Sequence, residues 1–402
     1  MYKKIVFIIL LLFSIHFWDI RFIPQKFNLE NLITWMVCLF SFIMILQKSN
    51  IRFRNAILLF IIGLIFNVFA AHINLGQSPK QTILSFGFYY FILMYFLLHY
   101  FELDRKFLEN IIIVFAIIYS AIFVIQYLVY PFEIVKRAAS TARLEFQPEI
   151  IGHGFLMLAY FLVLNRYLIN RRFINIILAL GFFIILFNSG FRSLVAGAVV
   201  ATVFLVIRMV RLNVRDVAIV MFVAILFVGL TQFKGIADKI DQMINKTKSE
   251  IALGNRYIRK IEMDFFFNKY PDNISYFIIG GGKPSGENLY KYNPAALGMN
   301  YNIVWVDIGL FGFYIVVGGI ATLGLLWYTL KAVFFKLPRD RLYLNSYFLY
   351  LLIVSFTNEE IYRNGIFSVQ AIGLYLIDIA ANEKLVSGDE PQVVATYSSV
   401  NT

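Results

Sequence analysis

One cysteine, four histidines and nine prolines in 402 residues set the first limits. Cys38 stands alone inside an apolar run, so an internal disulfide and a cysteine-built metal site are both excluded. His16, His72, His99 and His153 share no metal-ligand spacing, and no metal or cofactor is expected. Gly280-Gly281-Gly282-Lys283-Pro284-Ser285-Gly286 is not a nucleotide loop, because Pro284 follows Lys283 where Ser or Thr is required. It reads as a tight turn. Charge is scarce as well: 15% of residues, against about 25% in a soluble domain. Alternating apolar and polar runs are missing, which excludes a membrane β-barrel.

What the chain has instead is long apolar runs. It is 60% hydrophobic, with mean hydropathy +0.73. Spanning a bilayer takes about 20 apolar residues per helix, and about twelve segments come close. They are Ile5–Trp18, Leu32–Gln47, Ala56–Ala71, Thr82–Phe101, Phe107–Tyr130, Ile150–Ile169, Ile174–Ser189, Phe191–Val210, Val217–Leu230, Asn302–Leu330, Leu342–Thr357 and Ile366–Ala381. The fold class read from this is all-α and polytopic. Lys3-Lys4 followed by an apolar run could mimic a secretory signal. No small-residue cleavage site follows, so the run reads as an uncleaved first helix.

The net charge of +12 invites a nucleic-acid reading, but its distribution argues against one. Lys3, Lys4, Lys48, Arg52, Arg54, Arg105, Lys106, Arg166, Arg171, Arg172, Arg208, Arg211, Arg215, Lys331, Lys336, Arg339, Arg341 and Lys384 all fall on the side that holds both termini. The short loops opposite carry far fewer. The positive-inside rule then puts both termini in the cytoplasm, and the basicity is topology rather than a polyanion-binding face.

Residues 1–230 read as membrane helices 1–9, 231–301 as one large extracytoplasmic loop, 302–382 as helices 10–12, and 383–402 as a disordered cytoplasmic tail. A loop far longer than about 15 residues is usually functional or disordered. This one carries an amphipathic stretch, Lys248 to Lys269, with Ile251, Ile258, Ile261 and Phe265 on one helical face. Odd-numbered loops face outward. The topology therefore gathers Arg143, Arg192, Arg256, Arg259, Glu359, Glu360 and Arg363 at one outer face.

Each candidate has a plain and a chemical reading. Arg192 opens a helix in which Ser193, Gly197 and Ala201 recur every four residues, a pattern that lets backbones approach and turns Arg192 inward. It either snorkels to headgroups or holds an anion, and an arginine fork suits phosphate. Arg256, Arg259 and Lys260 form a phosphate or anionic-glycan clamp, or a solvated helix face. Glu359 and Glu360 supply a general base, or pair with Arg363. Asp307, inside the tenth helix, is functional or neutralises an arginine. His153, near the outer end of the sixth helix, touches substrate or is structural.

The order of these features resembles the bacterial O-antigen polymerase and O-antigen ligase superfamily of membrane glycosyltransferases. Four places carry the resemblance over roughly residues 140–320. They are Asn188-Ser189-Gly190-Phe191-Arg192-Ser193 at a helix opening, and Gly254-Asn255-Arg256 in the long loop. Then come Pro271 followed by Gly280-Gly281-Gly282, and Asn300-Tyr301-Asn302 followed by Asp307-Ile308-Gly309-Leu310-Phe311-Gly312. The resemblance implies a GT-C-like helical frame in the bacterial inner membrane. It implies transfer of glycan from an undecaprenyl-pyrophosphate donor to an acceptor hydroxyl, with no metal. Arg192 and Arg256 match the family arginines that hold the donor pyrophosphate, and Asn300 lies at the end of the loop. The implied partners are the lipid-linked oligosaccharide, membrane lipids and a chain-length regulator protein.

One departure bears on the choice within the family. Ligases carry a His-Asn pair at the end of the long loop, whereas this chain has Leu297-Gly298-Met299-Asn300. That favours a polymerase of O-antigen, capsule or exopolysaccharide units over a ligase, and it leaves Glu359, Glu360 and Asp307 as candidate bases. A lipid-linked-glycan transporter is the rival from another class. It predicts pseudo-symmetric halves and polar residues through several helix midplanes.

Overall fold

Apolar stretches punctuated by short polar turns fold here as helices whose ends are marked by their capping residues. The computed structural model describes residues 1–23, 27–45, 51–135, 138–141, 144–148, 150–209, 241, 244–245, 247–254, 257–271, 273–285 and 303–386. Helix α1 is Tyr2–Ser14, α2 Phe27–Ile45, α3 Arg54–Leu75, α4 Pro79–Ser85, α5 Met94–Phe101 and α6 Arg105–Val129. Then follow α7 His153–Asn170, α8 Phe173–Asn188, α9 Arg192–Met209, α10 Ile258–Asp264 and α11 Ser275–Ile279. The last are α12 Leu310–Val317, α13 Gly319–Phe334, α14 Leu342–Ser355 and α15 Ile366–Val386. Local chemistry sets several boundaries. Ser78 accepts from the Gln81 N–H at 3.2 Å with Pro79 opening α4, and Asp104 accepts from the Phe107 N–H at 2.8 Å to open α6.

Helices α3, α6 and α9 are long and apolar enough to cross a membrane. A fourth span results if α4 and Tyr89–Phe101, bent by 64°, count together. Leu29–Ile45, Phe173–Asn188 and Gly319–Phe334 are shorter apolar helices. This is the build of a helical membrane protein. Among the described residues it does not deliver twelve spans or the GT-C-like frame expected with them, and several of the expected segments are broken. The first segment stops after 13 residues and runs into His16–Asp19, four residues with φ of 47° to 59°. Thr82–Phe101 is broken between Ser85 and Tyr89. Asn302–Leu330 is broken at Gly309 and Gly318, which puts Asp307 in a one-turn 3-10 helix, Trp305–Ile308, rather than inside a membrane helix. The segment Val217–Leu230 lies outside the described residues.

Two further expectations change. The loop 131–149 contains a two-stranded antiparallel hairpin, β1 Ala138–Thr141 and β2 Leu144–Pro148, so the described residues are helical with one small hairpin. The tail does not begin at 383, because α15 runs through Val386; residues 387–402 lie outside the described residues.

Gly318 shows how a broken helix is tolerated in an apolar setting. It adopts φ 105°, open to glycine at little cost, and ends α12 with its last carbonyls unpaired. The Gly280–Gly282 turn meets them. Gly281 N–H donates to Ile315 O at 2.9 Å, and Gly282 N–H donates to Val316 O at 3.1 Å. Asn67 on α3 donates to both Ile279 O (2.9 Å) and Val316 O (2.8 Å). Irregular backbone is acceptable at membrane depth only when protein satisfies it. The small-residue face of α9 packs as its spacing implies. Leu194, Gly197, Ala198 and Ala201 are buried, and a Cβ on Gly197 would lie 2.4 Å from Val354 of α14.

Candidate functional site

The connection between α14 and α15 is the structural centre of the candidate site. It is a single 3-10 turn, Glu359–Tyr362, followed by Arg363. Its neighbours hold it firmly. Tyr362 stacks on Trp305 with ring centres 5.5 Å apart and donates from Oη to Gly309 O at 2.8 Å. Gln370 of α15 donates to Ile361 O at 2.6 Å. The Trp305–Ile308 turn is itself tied down by Glu262 of α10, whose carboxylate accepts from the Val304 N–H at 3.1 Å.

This rigid turn sends its two glutamates to different places. Glu360 is fully buried, and its Oε1 lies 2.6 Å from His153 Nδ1, at the first residue of α7. A carboxylate can only accept, so His153 Nδ1 is the donor of this bond. Burial pushes the Glu360 pKa up, but His153 and Arg363 outweigh it and hold the carboxyl below the usual range. Arg363 lies 3.6 Å from Glu360 Oε2 and 4.0 Å from Glu359. Arg363 therefore pairs with both glutamates, the plain reading of Glu359 and Glu360 in the sequence. Glu359, 36% exposed at its side chain, is the glutamate that solvent reaches.

The interior of this site is not fully hydrogen-bonded. His153 Nε2, Glu360 Oε2, Tyr347 Oη and Tyr350 Oη are buried with no hydrogen-bond partner among the described residues. The Glu360 charge acts on both phenols and on Tyr119, whose ring centre lies 6.1 Å from that of His153.

On the other side of the turn stands Lys283, which the sequence offered only as part of a turn. Its half-buried ammonium donates to Ser85 O at 2.6 Å and sits 4.3 Å from the Tyr89 ring centre and 5.5 Å from that of Phe86. Burial lowers its pKa from 10.5 to about 8, and the Glu359 charge pulls the other way. Asp307 is half-buried nearby, and its charge and that of Glu359 both act on Tyr362. Lysine after a glycine run was the only available signal for this residue.

Arg192 opens α9, as its sequence implies, next to Phe191, whose ring centre lies 5.7 Å from the Arg363 guanidinium. Its fork is engaged by the insertion. It reaches into the insertion, where one terminal nitrogen donates to Glu250 Oε1 and Oε2 at 2.8 and 2.9 Å and the other donates to Thr247 Oγ1 at 2.5 Å. The continuous Lys248–Lys269 helix does not form. Residues 247–252 are helical, Gly254 turns with φ 53°, and α10 begins at Ile258. Arg259 and Lys260 sit in α10, the first half-buried and the second exposed. Arg143, Arg256 and Asn300 lie outside the described residues, so the three-residue basic clamp is represented only by Arg259 and Lys260.

The structure thus joins Glu359, Glu360, Arg363 and His153, sets Lys283 and Asp307 within electrostatic reach of that turn, and pairs Arg192 separately with Glu250. No protein-family model matches this chain, and no curated protein matches it.

Proposed function

We propose that the protein is an inner-membrane polysaccharide polymerase of the O-antigen polymerase and ligase type. It transfers glycan from an undecaprenyl-pyrophosphate donor to the hydroxyl of an acceptor lipid-linked repeat unit, with both termini cytoplasmic. One observation carries the reading. Arg363 lies 4.0 Å from a reachable carboxylate, Glu359, at the connection between α14 and α15, and 5.7 Å from the ring centre of Phe191, the residue before Arg192. The arginines suit the leaving group, since positioned cations stabilise charge that builds on a departing pyrophosphate. Glu359 suits the acceptor, since a general base needs access to the hydroxyl proton. Glu360 is spent on His153 and positions the turn. In the transfer the acceptor oxygen bonds to the anomeric carbon, the bond to the pyrophosphate oxygen breaks, and the hydroxyl proton passes to Glu359. The motif order over roughly residues 140–320 supports the same family. A chain-length regulator is the protein partner this reading implies.

A transporter of lipid-linked glycans is the second reading, favoured by the bend of 64° after α4 and the break at Gly318, since discontinuous helices mark many transport sites. A deletion strain separates the readings. A polymerase mutant accumulates single lipid-linked repeats on the outer leaflet, and wild-type protein but not Glu359→Gln restores polymer. Polymer of normal length in the deletion strain sinks the enzyme reading. Polymer left on the lipid carrier points to the ligase variant, and repeats trapped on the inner leaflet point to transport.

A further inference from the structure

We propose that Glu250 of the insertion is an internal occupant of an anion site built from Arg192 and Tyr257, and that a phosphate oxyanion displaces it. This rests on the donor reading of Arg192 given above. The geometry is that of a filled anion site. A guanidinium nitrogen donates to both Glu250 oxygens at 2.8 and 2.9 Å, and Tyr257 Oη donates to Glu250 Oε2 at 3.4 Å. The charge of Arg259 also acts at Tyr257. Carboxylate and phosphate present the same paired oxygens to an arginine fork, so a ligand with two phosphate oxygens fits where Glu250 now sits.

The pair is placed for exchange rather than for permanent stability. The side chains of Arg192 and Glu250 are 31% and 24% exposed. By contrast Glu360, on the far side of Arg363, is sealed at 0%. The helical residues 247–252 that carry Glu250 are followed by a glycine turn at Gly254, about which they can swing. When a diphosphate enters, Glu250 and Thr247 leave Arg192 and the stretch 247–252 loosens. Without ligand the carboxylate neutralises the arginine and holds the insertion against the opening of α9.

The test uses the full chain in nanodiscs of zwitterionic lipid, with undecaprenyl pyrophosphate as the probe. Binding is measured for wild type, Glu250→Gln and Arg192→Gln, and amide exchange is followed over 247–252. The expected result is that the probe raises exchange in this stretch of wild type, that Glu250→Gln binds about tenfold more tightly, and that Arg192→Gln loses binding. The exchange readout needs no variant, so a misfolded mutant does not blunt it. If Arg192→Gln loses binding while wild-type exchange stays flat and Glu250→Gln binds no better, Glu250 is a fixed structural partner and the proposal fails, with the donor reading intact. If Arg192→Gln binds as well as wild type, the donor reading fails with it. A further arm replaces the probe with phosphatidylglycerol in the nanodisc. Loosening by that lipid alone supports the exchange and assigns the headgroup, not the donor, as the ligand.

Discussion

Two buried glutamates, Glu109 and Glu360, end up in opposite situations at opposite ends of the same helices. His153 and Arg166 lie 13 residues apart on α7, about 20 Å at 1.5 Å per residue. At the Arg166 end, Glu109 of α6 takes Arg105 at 2.5 Å, Arg166 at 2.7 Å and the Tyr343 hydroxyl at 3.0 Å, so both oxygens are used. Asp340 takes the other end of Arg105 at 2.7 Å. At the His153 end, Glu360 has one hydrogen bond, and its other oxygen and three polar atoms around it have none among the described residues. A closed network fixes helices. An open one keeps polar groups at a cost, which a fold carries where chemistry or ligand needs them. Under the proposed function, the closed end serves construction and the open end serves the chemistry.

The sharpest way to break the comparison is through Glu359. Glu359→Gln is expected to lower turnover roughly 10²–10⁴-fold, the usual worth of a general base, while changing stability by no more than about 0.5 kcal/mol. Polymer formation and thermal melting in detergent, measured on the same sample, check both halves. If turnover survives, the exposed carboxylate is not the base. At the other end, Glu109→Leu leaves Arg105 and Arg166 facing each other. Both arginines are only partly buried, so the loss is expected near the low end for a broken buried pair, about 3 kcal/mol, read as a fall in melting temperature. An unchanged melting temperature would dissolve the distinction between the two ends.

Acid titration offers a smaller test. The folded Glu360 carboxyl is held below its ordinary value of 4.5, so the pair with His153 contributes fully above that pH. The contribution is lost as pH falls through the lower folded value. Melting temperature against pH is therefore expected to drop more steeply below pH 4.5 in wild type than in Glu360→Gln. Smallest is the effect expected from Lys283→Arg. With its pKa lowered to about 8, Lys283 loses charge beside Glu359 as pH rises through that value. An arginine does not titrate there. The alkaline limb of activity is expected to move upward in the variant, and an unmoved limb removes Lys283 from the site.

Much of the helix map was legible. The small-residue face of α9 and the opening of that helix at Arg192 are local features, and local features are readable from spacing. The count of spans was not. A glycine such as Gly318 reads equally well as a small packing residue or as a break, and the outcome depends on whether another segment arrives to take the freed carbonyls. The site was half legible. Topology placed Glu359, Glu360 and Arg363 on one side with Arg192, but it paired Glu360 only with Arg363. The bond to His153 joins residues 207 positions apart, and no sequence spacing announces it. Glu250 was hidden for the opposite reason, as one acid in a basic stretch.

By itself the sequence determined the apolar helical build and the gathering of charge into connections, because water and hydrocarbon sort residues by type wherever they lie in the chain. Only the tertiary structure decided which charges meet. It broke helices at Gly309 and Gly318, set Gly280–Gly282 against the freed carbonyls, buried Glu360 against His153 while leaving its neighbour Glu359 half-exposed, and gave Arg192 to Glu250. Those outcomes turn on distances of a few ångströms between segments far apart in the chain, where the strength of a hydrogen bond or ion pair is decided.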